Sequence, residues 1–479
     1  MKKVMFTSAK TKLNQGFLLI TVLVFGSVLF VIISSFVGYV ITQNHLINQR
    51  VQIQKATDIA EAGLNYYKWF LAHYPNDPTD GTGAPGPYVH TYYDSEGGAI
   101  GEFSLDVDDS VFCGDVASME ITSTGYTYQD PTVKKTISAR YSRPTVAEYS
   151  YIINSNVWAG ADRTIIGPYH SNQGIRMDGT NQSVVTSGKD EWLCQSRYGC
   201  TPDATKDGVF TTTANANPAL FVFPSTPIDF AGLLIDLAKT KDRAQNAGGL
   251  FLPPSGGAGY RVVFNANNTV TVSKVTPVAA YYGYSDVWAL EQNVISSVSN
   301  TVTYNIPESC PLIFVQDKVW LEGVVNKKVA IGAADLASAA NNPSIILNGN
   351  ITYTSATTSG LLAIAENEVL FGLAVPNNMV LNGIFVAQQG RVGRNHYTSS
   401  GSYKLPTSLT TYIFRNSLTI NGTVVSQGSV GSQWTNAGTI VSGFYNRYNS
   451  YDRNLVANPP PLIPKTSDVF QMSDWKSVE

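Results

Sequence analysis

The sequence predicts a mainly β protein carried on one long N-terminal transmembrane helix. The expected order is that helix, a small antiparallel sheet, then a parallel β-solenoid (β-helix-like) domain with a helical insertion. Three observations predict it. Residues 17–41 hold no charged side chain, and the apolar pattern then continues at helical spacing to about residue 71. Charged residues make up only 14% of the chain, and Gly, Ser, Thr, Asn and Val dominate after residue 80, a composition that favours strands and turns. A short phrase, apolar–x–apolar–polar–Gly, recurs through the C-terminal two thirds.

The N-terminal helix comes first. At 1.5 Å per residue, Phe17–Ile41 makes about 37 Å of helix, enough for a hydrocarbon core of about 30 Å. A secretory signal core is shorter and is followed by a break. Here the pattern continues through Leu46, Ile47, Val51, Ala56, Ile59, Ala60, Gly63, Leu64, Tyr67, Phe70 and Leu71, at steps of three and four, until Pro75. Lys2, Lys3, Lys10 and Lys12 precede the apolar run. They predict a single-pass protein with its N-terminus in the cytoplasm and its C-terminal domain periplasmic or extracellular.

The junction "KLNQG-FLLITVLV" has a basic leader, Gly16, and then a helix opening at Phe17. Together with "KATDIAEAGLNYYKW" it resembles the type IV pilins and pseudopilins, in particular PilX-like minor pilins. The resemblance covers residues 1–75. It implies cleavage by a prepilin peptidase between Gly16 and Phe17, and packing against other pilin subunits through the helix. One position departs from the family. The fifth residue after the cut is usually Glu, and here it is Thr21. In the family that carboxylate is thought to neutralise a neighbour's new amino terminus within the membrane, where an unpaired charge is costly. Its absence implies a minor or tip subunit. The competing reading makes Thr21 an ordinary residue of an uncleaved anchor.

The expected domains follow in order. Residues 1–16 are the leader and 17–75 the transmembrane and amphipathic helix. Residues 76–145 form a small pilin-like β unit, with strands at 101–107, 117–125 and 133–142, where apolar and polar residues alternate. Within it "DVDDS" (106–110) reads as an acidic turn, its spacing matching no EF-hand loop. Residues 146–227 are a first solenoid part, 228–300 an insertion with a helix, 301–455 the main solenoid and 456–479 an extended Pro-rich tail.

The solenoid rests on the recurring phrase: "IRMDGTN" (175–181), "VWLEGVV" (319–325), "IILNGNI" (345–351), "MVLNGIF" (379–385) and "LTINGTV" (418–424). The last four glycines are 26, 34 and 39 residues apart, as for coils with loops of unequal length. Asn in a left-handed bend beside Gly suits the corners. The alternative takes each Asn-Gly as a type I′ hairpin of an antiparallel sandwich. Residues 228–245 read as one helix capped by Asp229, with Gly248 and Gly249 beyond its end. In the tail Val469, Phe470 and Trp475 are expected anchors.

Four cysteines do not make a disulfide scaffold. Cys194 and Cys200 are the disulfide candidate, closing a short loop if the domain is exported. Cys113 and Cys310, far apart in sequence, read as buried free thiols. Five histidines show no ligand spacing, and HExxH, CxxC, Walker, G-x-S-x-G and dinucleotide motifs are lacking. No metal, no cofactor and no catalytic residue is expected, and the chain is read as a non-enzyme. His170, Arg176 and Asp178 form the best polar cluster, which turn structure explains. "QQGRVGRN" (388–395) and "FYNRYNSYDRN" (444–454) mix Arg with aromatic residues, but a net charge of −3 argues against nucleic acid as a partner. The expected function is a membrane-anchored, surface-exposed minor or tip subunit of a type IV pilus-like filament. Its expected partners are prepilin peptidase, other pilin subunits, the membrane, and a surface glycan or protein ligand. The alternative is a membrane-tethered solenoid hydrolase acting on glycans, which needs two carboxylates about 5–9.5 Å apart.

Overall fold

A computed structural model of the chain describes residues 15–74, 77–113, 115–337, 342–467 and 469–478. Most of the expected leader and Pro75 lie outside the described residues. The chain divides into two compact units, 1–106 with 122–138 and 476–479, and 107–121 with 139–475.

In the first unit, helix α1 spans Gln15–His73 in one run of 59 residues. Its first half buries nothing: Phe17, Phe25 and Phe30 are each at least 70% exposed. Its second half buries the stripe Ala56, Ile59, Ala60, Leu64, Tyr67, Phe70 and Leu71. The small residues in this stripe let helix and sheet approach closely. A Cβ on Gly63 would lie 2.3 Å from Ser123 Oγ, and one on Gly125 would lie 2.4 Å from the Ala56 carbonyl oxygen. Thus "IAEAGL" is the seam against the sheet. The contact is also polar: Thr127 Oγ1 donates to Gln52 Oε1 at 2.7 Å, and Gln52 Nε2 donates to Gln129 Oε1 at 2.8 Å.

The sheet has five strands. They are β1 (Tyr88–Tyr93), β2 (Ala99–Phe112), β3 (Asp115–Thr127), β4 (Lys134–Ser142) and, last in order, Gln471–Val478. β1 pairs antiparallel with β2. Two expectations are corrected here. Residues 106–110 lie within β2 and form no acidic turn. Of the three tail anchors only Phe470 docks, its ring stacked 4.8 Å from Tyr141, while Val469 and Trp475 are 69% and 53% exposed. The tail reaches the sheet through backbone pairing instead.

The second unit combines parallel ladders with antiparallel pairs such as Tyr260–Asn265 with Thr269–Pro277 and that strand with Ile295–Asn305. One parallel ladder runs through Leu250–Leu252, Leu312–Val315, Lys328–Ala333 and Gly360–Ala365, then the C-terminal halves of Asn378–Ala387 and Phe414–Ser426. Beside it, Tyr260–Asn265, Val319–Val325, Ile345–Tyr353, Val369–Phe371 and Val392–Gly393 pair in parallel. Aligned apolar residues stack inside: Val319, Ile345, Val369 and Val392 are fully buried, and their alignment removes each from water at roughly 25 cal/mol per Å² of apolar area. The chain order is not the spatial order. Val424–Ser426 pairs with Tyr151–Ile153, and the ladder goes on through Tyr169–Ser171, Val185–Ser187 and Phe221–Val222.

The recurring phrases are not hairpin turns. "IILNGNI" and "LTINGTV" lie inside the continuous strands Ile345–Tyr353 and Phe414–Ser426. The expected left-handed Asn is also corrected. Positive φ falls on three of the five glycines, 121° at Gly323, 148° at Gly383 and 139° at Gly422, while Asn382 and Asn421 lie in strands without it. Freed from the turn, the asparagines stack, Asn421 Nδ2 donating to Asn382 Oδ1 at 2.9 Å. Gly422 sits directly on Gly383, and a Cβ there would lie 1.9 Å from the Gly383 carbonyl oxygen. Gly422→Ala is expected to cost about 2–3 kcal/mol, combining backbone strain and clash. Gly431→Ala, where a Cβ would meet nothing within 4 Å, is the control. Equal melting temperatures for the two variants would refute this.

Two further expectations change. Residues 228–245 form two helices, α2 (Phe230–Leu233) and α3 (Leu237–Asn246). Asp229 caps the first, accepting from the Ala231 amide at 2.9 Å. Asp236 accepts from the Lys239 amide at 2.9 Å and starts a second helix, which breaks the first. Cys113 and Cys310 are joined in a disulfide across 197 residues. Loop closure grows only with the logarithm of length, so sequence distance is no bar once the connection after β2 meets the segment before Leu312. Among the described residues no cysteine is free.

Candidate functional site

Two regions concentrate chemistry, one in each unit. The first is the start of α1. Gly16 and Phe17 are both helical, and the helix from Phe17 to His73 is long and apolar enough to cross a membrane. The Thr21 hydroxyl donates to the Phe17 carbonyl oxygen at 2.8 Å, one turn back in its own helix. It is satisfied locally and supplies no negative charge at that position.

The second region is a cleft of about 580 Å³ in the larger unit, with Trp158, Tyr198, Tyr284 and Trp434 among its walls. It brings together Arg391 and Arg447, one from each of the Arg/aromatic stretches noted in the sequence. Neither is a free cation. Arg447 donates from Nε to Asp162 Oδ2 at 2.6 Å, and Arg391 Nε lies 3.2 Å from Glu368 Oε1. At the rim Arg197 pairs with Asp286 at 2.7 Å. Among the described residues lining the cleft, Asp286 is the sole carboxylate.

The walls are held from behind. The Cys194–Cys200 disulfide closes a short loop over the turn Ser196–Tyr198, which presents Arg197 and Tyr198 to the cleft. Trp192 packs edge-on to Tyr198 at 5.4 Å. On the opposite side Tyr284 and His396 exchange backbone hydrogen bonds of 3.0 and 2.8 Å. Trp434 Nε1 donates to the Arg394 carbonyl oxygen at 2.9 Å. The Arg394 guanidinium is wholly buried and donates to the carbonyl oxygens of Gly372, Leu373 and Tyr412. Burial pulls it down to about 10. Burial likewise pushes the Glu291 carboxyl up, against the hydrogen bonds given by Asn395, Tyr397 and Asn293. This buried network fixes the loop 391–397 that carries one wall.

The polar cluster singled out in the sequence is engaged internally. Asp178 accepts from Arg176 Nε at 2.7 Å, Trp158 Nε1 at 2.8 Å and the Thr212 amide at 2.8 Å. His170 is buried between Thr186 and Asn172, at 2.8 Å from each, and burial pulls its imidazole down. Arg176 lies 4.3 Å over the Trp158 ring, so the cluster buttresses a cleft wall. No group of three or more His, Cys, Asp or Glu among the described residues is placed to hold a metal ion.

Sequence reasoning missed the aromatic walls. Their signal is the density of rings in "YYGYSDVW" (281–288), which forms a hairpin from Tyr281–Tyr284 and Trp288–Glu291. Hairpin and cleft become neighbours only through the fold.

No family model matches the chain, and no curated protein does. Among solved structures, the chain is similar to the competence-associated pilin ComZ from Thermus thermophilus, with 14% identity and a TM-score of 0.27, over 89% of this chain and 97% of that chain.

Proposed function

We propose that this chain is a minor or tip subunit of a type IV pilus-like filament. It is cut between Gly16 and Phe17, anchored by α1 with its N-terminus in the cytoplasm, and carries a β-solenoid as an adhesive, non-catalytic head. The observation that carries the reading is the two-part helix: residues 17–41 exposed and apolar, and the following turns buried against the chain's own sheet. A plain anchor has no need of such an extension, whereas a filament subunit uses the first part for its neighbours and the second to hold its head. Thr21, with its hydroxyl spent on its own helix, cannot neutralise a neighbour's amine, which favours a subunit used once. The parallel ladders support a solenoid head, and the presence of a single carboxylate among the described residues lining the cleft favours a binding role over a two-carboxylate glycan hydrolase.

The test is the processed terminus and the stoichiometry. Mass spectrometry of protein from native membranes is expected to find Phe17 at the N-terminus. The cut removes four lysines and no acid, taking the formal net charge from −3 to −7. Labelled protein is expected at far lower copy number than the shaft subunit. An intact leader, or near-equal copy number along the filament, would defeat the proposal.

A further inference from the structure

We infer that the cleft, with the aromatic strip leading out of it, is a binding site for a neutral oligosaccharide. This deepens the adhesive half of the reading above and rests on it only for where the site would act. The strip is the first observation. Trp434 lies 5.5 Å from Tyr284, Tyr284 lies 5.4 Å from Trp288, and Trp288 stacks on Tyr403 at 4.7 Å with 11° between planes. The planes cross at 72° and 53° before that stack, so the strip is a packed aromatic wall ending in Tyr403, which is 40% exposed. Such a wall offers the apolar C–H side of a sugar contact area at low conformational cost.

The second observation is electrical. The three arginines among the described residues lining the cleft are matched by carboxylates: Arg197 by Asp286, Arg391 by Glu368 and Arg447 by Asp162. An anionic sugar or a nucleic acid gains affinity from unpaired cations and here would have to displace those partners. A neutral polyol leaves every pair intact. The third observation is the supply of hydrogen-bonding groups. Ser285, Ser429 and Thr435 line the cleft with hydroxyls that make no hydrogen bond among the described residues. Hydroxyls that both donate and accept beside aromatic faces are the complement of a sugar's own groups.

The experiment titrates the full-length chain, in a detergent without a sugar headgroup, following tryptophan fluorescence and calorimetry. The probes are the hexamers of maltose, cellulose, xylan, mannan and chitin type, with pentagalacturonate and a dodecamer of deoxythymidine as charged comparisons. At least one neutral hexamer is expected to bind saturably and more tightly than either charged probe. Trp434→Ala and Tyr403→Ala are each expected to weaken that binding about tenfold or more, with Trp434→Phe close to the parent. Tyr403 is 40% exposed, so its variant decides the matter if Trp434→Ala fails to fold. Failure of all neutral hexamers, preference for a charged probe, or unchanged binding by Tyr403→Ala would each overturn the inference. An uncut Gly16–Phe17 bond would defeat the filament reading and leave this binding standing. Failed titrations would leave the cut and the copy number standing.

Discussion

Replacing Cys113 and Cys310 together by alanine is expected to lower stability by about 5 kcal/mol, on the chain-entropy account of a loop near 200 residues. The bond spans 197 residues, so its loss frees a large part of the unfolded chain. Removing Cys194 and Cys200, six residues apart, is expected to cost only about 2 kcal/mol by the same relation. Both cysteine pairs are buried, so alanine leaves small cavities of similar size, and the difference between the variants reports loop length. Denaturant midpoints of the two double variants check it under non-reducing conditions. A loss for Cys113/Cys310 no greater than that for Cys194/Cys200 would contradict the account. Untreated protein is also expected to take up no alkylating agent, because no described cysteine is free.

Lys328→Met is expected to stabilise the protein at neutral pH by roughly 2–4 kcal/mol, and by far less at pH 10. Lys328 opens the strand Lys328–Ala333 with its side chain buried, and its ammonium nitrogen has no hydrogen-bond partner among the described residues. Burial, and then the positive charge of Arg140, pull it down to about 7. The sign follows from proton binding. Between an unfolded lysine's value of about 10.4 and this folded value, the unfolded chain holds a proton that the folded chain has shed. Stability therefore falls as pH drops through that window and levels off below about 7. Methionine fills the same space and does not titrate. Urea unfolding of parent and variant at pH 7 and pH 10 measures the difference. An equal difference at the two pH values, or a less stable variant at pH 7, would count against the assignment.

The helix was legible in the sequence because its evidence is local. Absence of charge over 17–41 and the three-and-four spacing from Ala56 to Leu71 are fixed by helix geometry alone. The strands β2, β3 and β4 were visible for the same reason, their side chains alternating between two faces. Other elements were hidden because their partners lie far off in sequence. The tail strand Gln471–Val478 is recognisable only by the sheet that receives it, and the pairing of Val424 with Tyr151 joins strands more than 270 residues apart in sequence. The single helix expected over 228–245 failed on a local contest, in which the Asp236 side chain captured an amide that a continuous helix would have used.

What the sequence by itself determined is the apolar first half of α1, the sheet-facing stripe of its second half, and the mainly β character of the rest. Each depends on which residues are neighbours along the chain. Only the tertiary structure decided that Asn382-Gly383 and Asn421-Gly422 lie within continuous strands and not in hairpin turns, that Cys113 meets Cys310, and that Arg391, Arg447, Tyr284 and Trp434 share one cleft. Those facts depend on which distant segments stack. Stacking is set by burial summed over many aligned side chains, a quantity that no short stretch of sequence contains.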